Sequence, residues 1–413
     1  MATNQITQSS SPSQAELKRT IGPSVLKLYG LGTVVGAGIY VVIGEIIGLA
    51  GALAPLAFLM AALAAAFTAL SYAELATRVP ESGGSASFVS AGFGSRALTG
   101  LAGWGIVATG VVSAATIVTG FVGYSNVFVT ISKWWSVPIL TAMLTFFAVV
   151  GIRQSSWFMA LTTIAGVAGL LWVIGHGWSD LGSYPDQFLA AWNAPETSLA
   201  GAVIPAGFLA FYAYIGFEDL VTLSEEAKDQ DTAMPRAIWF TLIASLLLYL
   251  VVSAVTVSVL SMDTVAQSRA PLVDLVREKG SSGYVLGAVS LAMIVNGAMA
   301  QIVMAPRVLH DLGRRRDAAP SWLAKVNSKT GTPVAATLLC GLIVTGLALF
   351  FPTEQLASWT SYIILAVFAA ANLALVRLKL AEEGGEPAYE VPLFVPVAGV
   401  IVSLGLILGE IML

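Results

Sequence analysis

Apolar segments of membrane length recur along this chain from residue 22 almost to residue 412, and no other feature narrows its possible folds as far. A hydrocarbon core about 30 Å thick takes about 20 residues of helix to cross. Eleven segments fit, at 22–50, 52–78, 97–128, 136–151, 155–177, 200–227, 236–260, 283–310, 332–351, 354–378 and 393–412. In lipid a segment has no water to satisfy its N–H and C=O groups, so spans of this kind become helices. The sequence therefore predicts an all-α membrane protein with 11 transmembrane helices. Hydrophobic residues make up 57% of the chain and charged residues 11%, too little polar surface to coat a soluble globule of 413 residues. The lipid bilayer must supply that coat.

The rare reactive side chains exclude other classes. A formal net charge of -4 carries no basic excess for nucleic acid. Cys340 stands alone inside an apolar span, where it reads as a small buried side chain and can form neither an intrachain disulfide nor a thiolate metal site. His176 and His310 fall near different span ends. No metal site, cofactor site or catalytic constellation emerges, so the chain does not read as an enzyme, and no protein partner is evident.

Residues 1–20, rich in Ser, Gln and Thr, read as a disordered cytoplasmic tail without the apolar core of a signal peptide. With the amino terminus inside, sixteen of the 20 Lys and Arg residues fall on the cytoplasmic side, and only Lys133, Arg269, Arg277 and Lys279 fall outside. The positive-inside rule selects this orientation. Eleven spans then place the carboxyl terminus outside the cytoplasm, with the plasma (inner) membrane the expected location.

Two spans carry a break near their middle: GTVVGAGIY at Gly32 to Tyr40 and FYAYIGFED at Phe211 to Asp219. Irregular backbone at membrane depth is tolerated only where it is buried in protein or lines a cavity. Paired breaks in matching halves of a chain are the sequence signature of a midplane binding site in a secondary transporter. At the first break, Gly36, Ala37, Gly38 and Ile39 bring bare amides to the positive end of a half-helix, which suits a carboxylate. At the second, Tyr212, Ala213, Tyr214 and Ile215 end a half-helix whose carbonyls suit an ammonium, and Gly216 permits the unwinding. Close packing of small residues is the competing reading of the glycines.

Four motifs occur in order: GAGIYVVIGEIIGLAG from Gly36; YAELATRVPESGGSASF at 72–88; FYAYIGFEDLVTLSEEAKD at 211–229 with PRAI at 235–238; and RVLHDLGRR at 307–315. Together they resemble the amino acid, polyamine and organocation (APC) superfamily of transporters, most closely its cationic amino acid transporter branch. The resemblance runs from Leu17 onward. It implies a LeuT-like fold of two inverted five-helix repeats, about 22–177 and 200–380, with helices 1 and 6 unwound, followed by a loop and helix 11 at 381–413. Many relatives have a twelfth helix that this sequence lacks.

Further site residues follow from the resemblance. Tyr212, four residues before Gly216, holds the position of an aromatic gate; Thr33 matches a substrate-contacting position, though a threonine bonding its own helix backbone fits equally. Thr109, Ser113, Asn296 and Ser361 complete a polar, mostly uncharged pocket. Glu218 is a carboxylate at membrane depth, where such groups usually carry function. It is a candidate proton carrier with Asp219 beside it, and it is also placed to cap the freed amides of its own segment.

Two departures bear on energy coupling. Gly166 stands where proton-coupled and sodium-independent relatives often carry a lysine, and Thr109 follows Gly103-Trp104 where some relatives have a glutamate. A sodium site of hard oxygen ligands is poorly supported. The reading is a sodium-independent amino acid permease working by alternating access, through proton symport or exchange. Polyamine or other organic-cation transport, and a non-transporting amino acid sensor on the same fold, stay open.

Overall fold

The computed structural model describes residues 21–79, 84–151, 156–194, 199–315, 318–382 and 387–412. The tail expected over residues 1–20 lies outside them. Among the described residues the structure is all helical, with one isolated backbone bridge and no strand. Nine helical stretches among the described residues are long and apolar enough to cross a membrane, and Val334–Phe350 is a shorter apolar helix. The first stretch, Pro23–Arg78, runs 56 residues and includes the first break.

That stretch contains α1 (Pro23–Val34), α2 (Ala37–Ala50) and α3 (Ala54–Arg78). Pro23 opens α1, where its missing N–H has no intrahelical role. After α4 (Gly84–Phe93), the 30-residue α5 (Arg96–Ser125) begins at Ser95, whose Oγ accepts the N–H of Leu98 at 3.4 Å. Next come α6 (Lys133–Val150), α7 (Ser156–Gly177), the short α8 (Tyr184–Asn193) and α9 (Leu199–Phe211). Gly151, at φ 82°, stops α6 in the left-handed conformation that glycine adopts without strain.

Beyond α9 the backbone tightens into 3-10 turns at Tyr212–Tyr214 and Phe217–Glu226. The expected second half-helix is therefore wound more tightly than an α-helix. The rest is α10 (Gln230–Val259), α11 (Met262–Gln267), α12 (Pro271–Glu278), α13 (Tyr284–Arg315), α14 (Val334–Phe350), α15 (Thr353–Leu380) and α16 (Phe394–Met412).

The long helices α5 and α13 pack against each other more extensively than any other pair, and α5 also packs on α15. Apolar side chains such as Leu101, Phe146, Leu161, Leu342 and Ile401 project from the outer surface. The interior is apolar as well, with Val, Ile, Leu and Phe packed among alanines and buried tyrosines. An apolar outer surface around an apolar interior fits a bundle whose solvent is lipid.

The end predicted to face the cytoplasm is tied by polar contacts. Ile21 donates its N–H to the Glu226 carbonyl at 3.0 Å and accepts from Lys228 at 2.8 Å, stitching the start of α1 to the end of the second broken segment. Nearby, the buried carboxylate of Glu74 accepts from Arg78 Nε (2.7 Å), Lys379 Nζ (2.9 Å) and the Val391 N–H (2.8 Å). Three donors from α3, α15 and the segment before α16 thus meet on one acceptor. Glu390 approaches the same two cations, forming a wall of a cavity of about 690 Å³. The hydrogen bond and charge of Lys379 hold its carboxyl below the usual carboxylate range. At the opposite end, α12 buries Pro271, Leu272, Val273, Leu275 and Val276 against the bundle, and Lys279 pairs with Asp180 at 2.6 Å.

Candidate binding site between the broken helices

Both breaks fall where the sequence places them. Helix α1 ends at Val34, Val35 and Gly36 leave the helical conformation, and α2 starts at Ala37 with Gly36 as its N-cap. No side chain caps α2. The N–H groups of its first turn have no acceptor within the helix and carry the positive end of its dipole. In the second break Ile215 is extended and Gly216 takes φ 125°, a conformation that a residue with a Cβ rarely adopts.

The two breaks touch. A Cβ added at Gly38 would lie 3.2 Å from Ala213 Cα and 3.6 Å from the Tyr212 carbonyl oxygen, and one at Gly216 would lie 2.7 Å from the Thr33 carbonyl oxygen. Glycine at these two positions is what lets backbone meet backbone. Tyr212 crosses Gly38, with ring atom Cε1 3.8 Å from that added Cβ, and its hydroxyl bonds Ser113 Oγ on α5 at 3.2 Å. The structure thus gathers Thr33, Gly38, Ser113, Tyr212, Ala213 and Gly216 around one place. Helix α13 closes a further side, since a Cβ at Gly297, next to Asn296, would lie 3.0 Å from Ala37 Cβ.

Other predicted residues have local partners. Thr33 and Thr109 donate to carbonyls of their own helices, Gly30 and Gly105, each at 2.9 Å. Glu218 Oε2 accepts the Gly216 N–H at 2.8 Å, the capping geometry for this carboxylate. Met293 fills the space beside Gly166, its Sδ 2.6 Å from where a Cβ would lie, so a longer side chain there would have to displace that thioether. Ser361 is fully buried on α15, and its Oγ has no hydrogen-bond partner among the described residues. Among the described residues no group of three or more His, Cys, Asp or Glu side chains is arranged to hold a metal ion.

Sequence reading missed a set of tyrosines. Tyr249 on α10 donates in a shared bond to the carbonyls of Val34 (2.8 Å) and Ala213 (3.0 Å). Tyr40 donates to Gly166 O at 2.6 Å, and Tyr124 to Tyr40 O at 2.9 Å. All three are fully or almost fully buried. The available signal was a tyrosine in the middle of an apolar span, because a buried phenol needs an acceptor.

Known proteins match this chain in sequence and in fold. A model of the amino acid permease family covers residues 27–409. The chain belongs to that family. Its members are membrane transporters and not enzymes, and this permease is an integral membrane protein.

The permease is 26% identical over 411 residues to the branched-chain amino acid permease BcaP of Bacillus subtilis (strain 168), covering 92% of this chain and 85% of the relative. It is 24% identical over 410 residues to the vacuolar cationic amino acid transporter 4 of Arabidopsis thaliana, covering 90% of this chain but 65% of that longer protein. A substrate-bound outward-open structure of a sodium-coupled sialic acid symporter shares the fold with a TM-score of 0.62 at 10% identity, over 95% of this chain and 90% of the other. The permease thus has the LeuT-like fold expected of a secondary transporter.

Proposed function

We propose that this permease carries a zwitterionic amino acid across the plasma membrane, without sodium, by proton symport or exchange. The direct contact of the two breaks supports this reading most strongly, with Gly38 against Ala213 and Gly216 against Thr33. It sets the amides of Gly36 to Ile39 beside the carbonyls of Tyr212 to Ile215. The first group is a ready anion site and the second a cation site, so an α-carboxylate and an α-ammonium are received together. A polyamine has no carboxylate and leaves the amides unmatched.

In this reading Pro23–Arg78 crosses the membrane twice and Val334–Phe350 crosses once, which gives eleven spans with the amino terminus cytoplasmic. Tyr212 gates the substrate, held to α5 through Ser113. Glu218 and Asp219 are the proton carriers beside the second break. The names of the relatives leave branched-chain and cationic amino acids as the first candidates to test. The uncharged surroundings of Thr109, Ser113 and Asn296 favour a neutral side chain.

Purified permease in vesicles, offered a panel of radiolabelled amino acids under imposed pH or sodium gradients, tests all of this. Saturable uptake of a neutral amino acid that ignores sodium is expected. Absence of both uptake and exchange for the whole panel refutes the transport reading.

A further inference from the structure

Tyr249 lies on α10, outside both breaks, yet its one hydroxyl meets a carbonyl from each. Val34 is the last residue of α1, and Ala213 lies in the 3-10 turn that ends the α9 segment. Both carbonyls therefore sit at the negative ends of half-helices, and two such ends brought together repel. A shared hydroxyl hydrogen between them offsets that repulsion and satisfies oxygens that water does not reach.

The ring is fixed independently of this bond. Tyr249 is fully buried, with its ring centroid 5.1 Å from that of Tyr214 and 5.5 Å from that of Phe58. Packing of that kind serves a phenylalanine equally well, so it gives no reason for the hydroxyl. Thr241 and Ser245 precede Tyr249 by eight and four residues and so share its helix face. Both are fully buried, and neither Oγ has a hydrogen-bond partner among the described residues. A Cβ at Gly30 would lie 2.5 Å from Thr241 Oγ1, so α1 rests directly on this face. Of the hydroxyls of Thr241, Ser245, Tyr249 and Ser253, only that of Tyr249 bonds the breaks.

We propose that Tyr249 is a positioning residue for transport, whose hydroxyl holds Val34 O and Ala213 O together and so sets the separation between the amides of the first break and the carbonyls of the second. This rests on the reading that an amino acid is held by its two charged ends between the breaks. The substrate's α-carboxylate and α-ammonium lie a fixed distance apart, so a frame that widens fits every amino acid less well, whatever its side chain.

The test is Tyr249→Phe in the full-length permease, with Ser253→Ala as control because Ser253 bonds only carbonyls of its own helix. Loss of a bond that leaves buried carbonyls unmatched is expected to raise KM on the order of tenfold. The factor should be the same for substrates with different side chains, with a smaller change in maximal rate per folded molecule. Unchanged KM, or a factor that varies with the side chain, overturns the proposal. Hydrogen exchange of the ligand-free protein tests the strut without any substrate: residues 34–39 and 213–216 should exchange faster in Tyr249→Phe. Unchanged exchange there overturns the proposal even if the amino acid reading stands, whereas faster exchange in Tyr249→Phe, with a wild type that binds no amino acid, supports the strut and refutes the amino acid reading. If Tyr249→Phe does not fold, a fluorotyrosine at position 249 keeps ring and hydroxyl and donates more strongly. It should tighten binding, and unchanged affinity overturns the proposal.

Discussion

Replacing Gly216 by alanine adds one methyl group at the closest approach of the two broken segments. The substitution acts in two ways. Gly216 sits at φ 125°, and holding a residue with a Cβ in a sparsely populated region of this kind costs about 1–3 kcal/mol. The new Cβ would also lie 2.7 Å from the Thr33 carbonyl oxygen, against 3.4 Å where ordinary contact begins. The obstacle is backbone, which has no rotamer to escape into, so the two breaks must move apart by several tenths of an ångström. Misplacement on the order of 1 Å costs about 100-fold in a preorganised site. Gly216→Ala is therefore expected to raise KM roughly 10- to 100-fold while the helical bundle stays folded. Uptake into vesicles and thermal stabilisation by substrate are the assays. The control is Gly346→Ala, since nothing lies within 4 Å of a Cβ on that α14 glycine and alanine favours helix. Wild-type KM and wild-type substrate stabilisation in Gly216→Ala refute the assignment of the site to the contact between the breaks.

Glu74→Gln leaves Arg78 and Lys379 nearly buried beside Glu390, whose own side chain is 65% exposed. Breaking a buried ion pair of this kind costs about 3–5 kcal/mol, and detergent thermal unfolding should show the loss, with much of it recovered in Glu74→Gln/Lys379→Met. Glu218→Gln is expected to flatten the dependence of uptake on external pH; a wild-type profile returns Glu218 to capping Gly216 alone. Because Lys379 holds the Glu390 carboxyl below its usual range, this contact is fully present above the ordinary carboxylate pKa and is lost as pH falls through the lowered value. Glu390→Gln should therefore lower stability slightly in the neutral range and, with that contact no longer there to lose, shrink the further loss in acid.

The spans and both breaks were legible because each rests on local chemistry: an apolar run that must satisfy its own backbone, and glycines where the helix stops. Gly216 and Gly38 are readable in that sense, although their contact with Thr33 and Ala213 is not. What escaped sequence reading depends on distant pairing. The acceptors of Tyr249 include Val34, 215 positions away, and the donors to Glu74 include Val391, 317 positions away. Neither Thr33 nor Thr109 declares in sequence that it bonds its own helix. The motif around Gly166 shows a missing lysine, but only the fold shows Met293 filling that space. Tight winding after Gly216 was equally hidden, because the segment carries no proline or further glycine to announce it.

The bridge between Ile21 and Ala227 has a mechanical consequence. Helix α1 and the second broken segment are fastened at the far end by the backbone bonds of Ile21 to Glu226 and Lys228, and near the centre by the hydroxyl of Tyr249. A rod pinned to its neighbour at both ends cannot hinge away from it alone. Opening a path toward the start of α1 must swing the two segments as one lever, or first unpin Ile21. A tag or cargo fused just before residue 21 would then pull first on the bonds of Ile21 and, through them, on both segments at once.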